Sequence, residues 1–373
     1  MLKYGSEEKK MQNPFTPSFG IVPLYLAGRE MILSDLRRAL QNGPGDPSLC
    51  SIIVGPRGSG KTALLSCIAD EAMRQGYIVA DTTAVPGMLE DILQRALDAS
   101  AEIVTRHSPK KVTGISVGQF LGIEWQESAP PKENWRSRMT TLLRELKKTD
   151  SGLLITVDEV RASLDEMIQL AAVYQLLIRD GFKCALVMAG LRVHCNQLLD
   201  DDSTSFLRRA KQYPLERISD TEIDRAFRKT IESSGKQIHA AALKSAVNAS
   251  GGYPYMMQLV GFSIWEESGE RKTIHEQDAE KGVHAALQDF QNGVLNSTYR
   301  ELSSGDRTFL RALSDDVSEN RVSDIAARMN KTAGYVSSYK LRALEAGVIE
   351  ETPGKTLMFS IPFFREYLLA HED

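Results

Sequence analysis

The chain has 373 residues, of which 45 are Lys or Arg and 49 are Asp or Glu, so its formal net charge is −4. This length allows two or three domains with real cores, and the hydrophobic fraction of 42% is typical of a globular protein. A slightly acidic chain has no general attraction for nucleic acid, so any DNA contact would need a local basic patch.

The four cysteines are scattered without a C-x-x-C pair. This arrangement predicts free thiols in a reducing compartment and argues against a disulfide framework or a zinc site. The sequence also shows no apolar run of transmembrane length and no signal-peptide pattern at its start. We therefore expect a cytoplasmic protein without a membrane partner.

The first predicted elements precede a dense turn sequence. Residues 1–20 are polar with scattered Pro and Gly, which predicts an irregular arm. The apolar spacing from Met31 to Leu40 predicts an amphipathic helix. The sequence NGPGDPS at 42–48 then ends that helix.

A phosphate-binding loop is predicted directly after this turn. Residues 51–54, of which the last three are apolar and β-branched, are typical of a buried parallel strand. The sequence GPRGSGKT that follows fills every fixed position of G-x-x-x-x-G-K-[ST]. Glycines let successive N–H groups point at phosphate oxygens, and the next helix presents its positive end to the same anion. We expect Lys61 to reach the β- and γ-phosphates and the Thr62 hydroxyl to bind Mg²⁺. The predicted phosphate-contacting residues are Gly55, Pro56, Arg57, Gly58, Ser59, Gly60, Lys61, Thr62 and Ala63.

Strand and helix patterns then alternate as far as about residue 220, which predicts a parallel sheet covered by helices on both faces. Further strands are expected at 77–82, 153–157, 184–189 and 212–218. Residues 105–133 break the alternation and indicate an inserted hairpin or loop, whose role the pattern does not identify.

Two carboxylates follow the strand at 153–157. Asp158 suits the water shell of Mg²⁺, and Glu159 suits a base that polarises an attacking water. Acids after a strand are a weak signal alone, because strands commonly end in charged turns. The phosphate loop upstream makes the functional interpretation the stronger one.

The motifs GPRGSGKT and LLITVDE resemble those of AAA+ P-loop ATPases, in the initiator-type and STAND-like branch that carries a carboxy-terminal winged helix. The resemblance implies an α/β AAA+ core with a parallel sheet at 21–219, a helical lid and connecting helix at 220–300, and a winged helix domain at 301–373. It also implies ATP and Mg²⁺ as ligands, hydrolysis of ATP to ADP and phosphate, and a possible self-oligomer.

Softer motifs imply further roles near the nucleotide. Gly28 and Arg29 lie in a segment similar to the family's G-R-E box, which sits near the adenine. Residues 251–254 resemble a G-G-x-P motif in which the proline, here Pro254, approaches the nucleotide. Proline in a first helical turn is also ordinary capping chemistry, so this signal has a purely structural alternative.

Arg208 and Arg209 precede the last strand, where the family carries its arginine finger. An arginine there would stabilise charge on the γ-phosphate of a neighbouring subunit. The same pair could instead be solvated and pair with the acids at 200–202. The sequence does not choose between these interpretations, or between the two arginines.

The polar sensor residues of the family are missing. Gly190 and Leu191 follow the strand at 184–189, which leaves Arg192, His194 or Asn196 as imperfect substitutes. No sensor arginine follows the glycine pair at 251–252, and His194 is more simply an ordinary surface histidine. These departures predict slow hydrolysis.

The pattern from 305 to 369 predicts a winged helix-turn-helix, with helices at 306–313, 322–329 and 332–346 followed by a hairpin. Its expected core consists of Val322, Ile325, Ala326, Val336, Leu341, Leu344 and Ile349.

A local basic face is predicted within this module. Residues 300–373 contain ten Lys or Arg and twelve Asp or Glu, which disfavours broad phosphate binding, yet 328–342 has four cations and no acid. Candidate contacts to double-stranded DNA are Lys331, Tyr335, Ser338, Lys340 and Arg342. A solvated face or a protein-docking module explains the same residues.

Together these features predict a slow ATP-dependent switch coupled to a winged helix that engages DNA. One alternative is a signalling or defence scaffold that oligomerises on ATP and docks protein. Another is a nucleotide binder with negligible turnover.

Overall fold

The computed structural model describes residues 12–18, 20–107, 134–315, 320–352 and 354–371. Their contacts divide them into two units. The sheet unit comprises residues 31–55 and 64–215, and the helical unit comprises the described residues among 1–30, 56–63 and 216–373. Of the predicted insertion at 105–133, residues 108–133 lie outside the described residues.

The sheet unit is built on five parallel strands in the order β2-β3-β4-β1-β5. The strands are β1 Cys50–Val54, β2 Tyr77–Thr83, β3 Gly152–Asp158, β4 Cys184–Gly190 and β5 Lys211–Pro214. β4 is buried throughout and β3 is buried up to its last residue, because helices cover both faces of the sheet. The predicted parallel α/β sheet is therefore confirmed.

The predicted last strand at 212–218 is too long. β5 ends at Pro214, opposite Val54, the last residue of β1. The Leu215 N–H still donates to the Val54 carbonyl, but beyond it β1 offers no further partner. The Ile218 N–H donates to the Gly252 carbonyl in the helical unit instead.

In the described part of the sheet unit six α-helices accompany the sheet, and their apolar spacing decides which side is buried. They are α1 Glu30–Asn42, α2 Lys61–Arg74, α3 Met88–His107, α4 Trp135–Lys148, α5 Asp165–Arg179 and α6 Arg192–Asp200. In α4 the Asn134 side chain accepts from the Ser137 N–H and starts the helix. Trp135, Met139, Leu142 and Leu146 then recur at helical spacing and are all buried.

The helical unit contains a bundle of helices and a short two-stranded sheet. The helices are α7 Asp220–Ser233, α8 Ala240–Ser250, α9 Pro254–Ser268, α10 Glu276–Phe290 and α11 Asn296–Glu301, with β6 Gln237–Ile238 paired to β7 Thr273–Ile274. A π-helical turn at Gln291–Leu295 joins α10 to α11, so the predicted connecting helix is continuous but irregular. α7 begins with a capping box between Ser219 and Glu222.

The amino-terminal arm is irregular at 12–18, as predicted, yet it is anchored in the helical unit. Phe15 is 1% exposed and lies over Gly261, where an added Cβ would be 2.4 Å from its ring. The Asn13 amide donates to Glu266 Oε1 at 2.8 Å, and the Thr16 N–H donates to Gln258 Oε1 at 3.1 Å. The arm is thus part of this hydrophobic core.

The carboxy-terminal module belongs to the same unit. It consists of α12 Ser304–Ser314, α13 Val322–Met329, α14 Ala333–Glu345, the antiparallel hairpin β8 Ile349–Glu351 and β9 Leu357–Phe359, and α15 Phe364–Ala370. Val336 and Ala343 of α14 are buried, whereas Leu341 is 46% exposed. The prediction of Leu341 as a core residue was wrong, because five helical positions turn it about 140° away from Val336.

No helix within the described parts of the chain is long and apolar enough to cross a membrane. The four cysteines are free thiols, as predicted. Burial raises the pKa of Cys50 and of Cys184 to about 12 each. A raised pKa disfavours the reactive thiolate, which fits a packing role for both side chains.

A close contact between α9 and α10 of the helical unit yields a test of its packing. A Cβ added at Gly282 of α10 would lie 2.6 Å from the Cα of Ile264 in α9. We expect Gly282→Ala to destabilise the protein by about 1–3 kcal/mol, because backbone cannot move aside cheaply. Urea unfolding followed by circular dichroism measures this change.

Gly293→Ala is the matched control, since nothing lies within 4 Å of a Cβ added there. It should be neutral or stabilising by up to about 1 kcal/mol, the gain of replacing glycine in a helix. Equal unfolding curves for the two variants would contradict the close packing of α9 and α10.

Candidate functional site

The phosphate-loop sequence connects β1 to α2 and follows a sharply turning backbone. Gly58 and Gly60 have φ of +72° and +86°, conformations that favour glycine. The Ser59 hydroxyl and the Ser59 N–H both donate to the Pro56 carbonyl, at 2.8 and 3.4 Å. α2 begins at Lys61, so its first N–H groups, including those of Thr62 and Ala63, belong to a helix amino terminus that suits an anion.

Lys61 is folded back onto this loop. Its side chain is buried, with the residue 5% exposed, and Nζ donates to the Pro56 carbonyl at 2.8 Å. A buried ammonium beside backbone N–H groups creates a strongly positive site. Phosphate oxygens are suitable acceptors for it.

Arg29 contacts the same loop within the helical unit. Its guanidinium donates to the carbonyls of Ser59 at 3.4 Å, Glu216 at 3.3 Å and Gly28 at 3.3 Å. Burial lowers the pKa of Arg29 from its ordinary value, and the nearby Glu222 carboxylate partly offsets this effect. Gly28 and Arg29 therefore lie beside the loop backbone, whereas their predicted place near adenine stays a prediction.

The start of α9 also meets the loop. Pro254 lies 3.9 Å from the position of a Cβ added at Gly60. Its neighbour Tyr253, the variable position of the G-G-x-P motif, has no predicted role, yet it donates its hydroxyl to the Arg57 carbonyl. The only sequence signal for Tyr253 is its place between the glycine pair and Pro254.

The predicted Mg²⁺ ligand Asp158 and the predicted catalytic base Glu159 lie at the carboxyl edge of the sheet unit. Asp158 ends β3, and its Oδ1 accepts from the Glu159 N–H at 2.8 Å. Glu159 has φ of +53°, a left-handed conformation that costs a non-glycine residue about 1–3 kcal/mol. The Val160 N–H donates to the Ala189 carbonyl at 2.9 Å and fixes the chain just beyond it.

The structure gives a physical reason for the missing sensor at the end of β4. A Cβ added at Gly190 would lie 3.1 Å from both Cys195 Sγ and Val160 Cβ, so the position has little room for a side chain. The Gly190 carbonyl accepts from the Gly55 N–H at 3.2 Å, which ties this strand end to the start of the phosphate loop. His194 makes a local contact with Gln197 at 3.4 Å, which fits the ordinary role expected for it.

The two candidate finger arginines have different surroundings. Arg208 donates to the carbonyls of Leu199 at 2.9 Å and Asp200 at 3.4 Å, so it caps the end of α6. The Arg209 side chain is exposed and has no hydrogen-bond or ion-pair partner among the described residues. Within the described chain neither arginine pairs with an acid side chain, although the structural alternative expected such pairs with the acids at 200–202.

The predicted basic face of α14 is partly neutralised. Lys340 pairs with Glu351 of β8 at 2.6 Å, and Arg342 pairs with the buried Asp306 of α12 at 2.6 Å. Arg328 donates to the Ala312 carbonyl at 2.7 Å. The acids that the sequence of 328–342 lacks are therefore supplied by other elements.

Lys331, Tyr335 and Ser338 form the rest of this face. The Lys331 ammonium lies 5.6 Å from the centre of the exposed Tyr335 ring, and the Tyr335 hydroxyl is 3.2 Å from that of Tyr339. The Ser338 hydroxyl makes a weak bond to the Gly334 carbonyl at 3.4 Å. Together they present one cation and several polar groups to solvent.

Comparison with known families agrees with this geometry. Residues 25–187 match the family described as AAA ATPase domain, and residues 292–368 match a family described as a domain of unknown function (DUF8462). No curated protein sequence matches the chain.

Two solved structures show the same fold. The Walker-type ATPase paby2304 of Pyrococcus abyssi superposes with a TM-score of 0.63 at 14% identity, covering 92% of this chain and 96% of that chain. The ORC2 protein of Aeropyrum pernix, solved in ADPNP-ADP complexes, has a TM-score of 0.58 at 14% identity, covering 95% of each chain. The sheet order and the phosphate-loop sequence agree with these matches: residues 25–187 are similar to the AAA ATPase domain family, and the fold is that of the two solved structures.

Proposed function

We propose that this protein binds Mg²⁺-ATP and acts as a slow ATP-dependent switch. The observation that carries the proposal is the loop itself, where a buried Lys61 ammonium, two left-handed glycines and a helix amino terminus are combined. Thr62 and Asp158 would hold Mg²⁺, which supplies positive charge to the phosphates when bound. Glu159 would orient and polarise the attacking water.

The loop and the carboxy-terminal module that it would control lie within the helical unit. Loop residues 56–63 and the carboxy-terminal module belong to this one unit, and its hydrophobic cluster runs from Phe15 to Leu368. A ligand that changes the conformation of the loop therefore acts on the unit that carries the module. Slow turnover fits the lack of room for a sensor side chain at Gly190.

We propose that the carboxy-terminal module is a winged helix and that its partner is double-stranded DNA. The order of α12, α13, α14 and the β8–β9 hairpin supports the first part. Lys331, Tyr335 and Ser338 support the second part, with Lys340 and Arg342 available only if their acid partners release them.

A protein partner is the second candidate, in an ATP-dependent scaffold for signalling or defence. Leu341 is 46% exposed and Met358 is 40% exposed, and both belong to the same module. Exposed apolar side chains beside neutralised cations are more typical of a protein interface than of a DNA interface. The DNA experiment below separates the two candidates.

Removal of the loop lysine tests nucleotide binding. Lys61→Ala should abolish tight ATP binding in a titration with a fluorescent nucleotide, because the principal cation of the site is gone. Lys272→Ala, an exposed lysine of the helical unit, should bind ATP as the unmodified protein does. Unchanged affinity in Lys61→Ala would overturn the assignment of the loop.

Glu159→Gln tests hydrolysis separately. It should retain ATP affinity and lower phosphate release by about 10²-fold or more, since an amide cannot polarise the water. Wild-type turnover in this variant would remove Glu159 from the mechanism.

We propose that Arg209, not Arg208, acts in trans on a neighbouring subunit. Arg209→Ala should lower the concentration-dependent part of phosphate release by about 10³-fold and leave the melting temperature unchanged. Arg208→Ala should lower the melting temperature, because it removes the cap of α6. Turnover that is independent of protein concentration in the unmodified protein would count against any such finger.

DNA binding is tested by titrating a random duplex at several salt concentrations. Lys331→Ala should lower affinity and reduce the salt slope by about one, because one phosphate contact is lost. Lys229→Ala is the matched control, since its ammonium lies 4.8 Å over the Tyr25 ring in a similar setting. Absence of duplex binding by the unmodified protein would support the protein-docking alternative.

A further inference from the structure

Tyr253 occupies the space beside Gly58 of the phosphate loop. A Cβ added at Gly58 would lie 1.9 Å from the Tyr253 hydroxyl oxygen and 2.4 Å from Cζ of its ring. The hydroxyl donates to the carbonyl of Arg57, the residue before Gly58. Gly58 is therefore required twice, for its φ of +72° and for the volume that Tyr253 fills.

Tyr253 is itself held firmly in the helical unit. The residue is 7% exposed, and its N–H donates to the Ser250 carbonyl at 2.9 Å. Its ring meets Phe290 edge to face, with centroids 6.3 Å apart, and Phe290 is 1% exposed. Burial raises the pKa of the Tyr253 hydroxyl above its ordinary value, so the hydroxyl stays a donor at every physiological pH.

The bond to Arg57 fixes the orientation of one peptide plane. In a trans peptide the carbonyl of one residue and the N–H of the next point in opposite directions. When the Arg57 carbonyl accepts from Tyr253, the Gly58 N–H must point away from Tyr253. Backbone N–H groups of such a loop are the donors that bind phosphate.

We infer that Tyr253 is a positioning residue for the phosphates of a nucleoside di- or triphosphate. It acts through the Arg57–Gly58 peptide and orients the Gly58 N–H for a phosphate oxygen. The inference rests on the proposed binding of nucleotide at this loop. Because the loop holds phosphates common to ATP and ADP, Tyr253 serves both nucleotides equally.

Tyr253→Phe tests the role, since it keeps the ring against Phe290 and removes only the hydroxyl. We expect the affinities for ATP and for ADP to fall by the same factor, about 3- to 10-fold, the net effect of one hydrogen bond. The turnover number at saturating ATP should change by less than about 2-fold, so the loss appears in KM. Calorimetric titrations with each nucleotide and steady-state phosphate release measure these quantities.

Tyr255→Phe is the matched control. Tyr255 also packs on Phe290, with centroids 6.1 Å apart, but its hydroxyl makes no hydrogen bond to another described residue. It should bind both nucleotides as the unmodified protein does, which separates loss of the bond from general loosening near Phe290.

The outcomes distinguish this inference from the proposed function. If the unmodified protein binds neither nucleotide, the proposed function and this inference fail together. If it binds both and Tyr253→Phe binds equally well, or loses affinity for ATP alone, only the role of Tyr253 is overturned. A lower melting temperature with unchanged affinities would likewise reduce Tyr253 to a packing residue.

Discussion

The phosphate loop depends on a backbone conformation that favours glycine at two positions. Gly58 and Gly60 adopt left-handed conformations, and the space beside them is occupied by Tyr253 and Pro254. The Ser59 hydroxyl and the Lys61 ammonium both donate to the Pro56 carbonyl. The position of the Lys61 ammonium depends on this backbone, because the Pro56 carbonyl of the loop is its acceptor.

The parts of the site that the sequence predicts are those that depend on local requirements. The loop is recognisable because each fixed position is needed for a tight turn or for a charge. Strands β3 and β4 are recognisable because a strand that is buried on both faces needs an unbroken apolar run. Asp158 and Glu159 follow from the end of β3. Tyr253 could not be predicted, since its partner Arg57 is 196 residues away and tyrosine has no fixed place in the motif.

The same limit applies to charge in the carboxy-terminal module. The sequence of α14 alone shows Lys340 and Arg342 without acidic neighbours. In the fold they form ion pairs with Glu351 of β8 and Asp306 of α12. A chain segment reveals which charges it carries and not which charges the fold brings to it. The exposure of Leu341 likewise depends on how α14 is rotated against its neighbours, which apolar spacing in so short a helix fixes poorly.

Phe290 connects the loop-binding bundle of the helical unit to its carboxy-terminal module. Its ring meets Tyr253 on one side and Phe363 on another, each at 6.3 Å, and Phe363 is held at a φ of +60° where α15 begins. Among the described residues, the buried side chains of the carboxy-terminal module and of the bundle that holds the loop form one hydrophobic cluster. A ligand bound at the loop therefore stabilises α15 against every unfolding event that opens the shared core and the loop together.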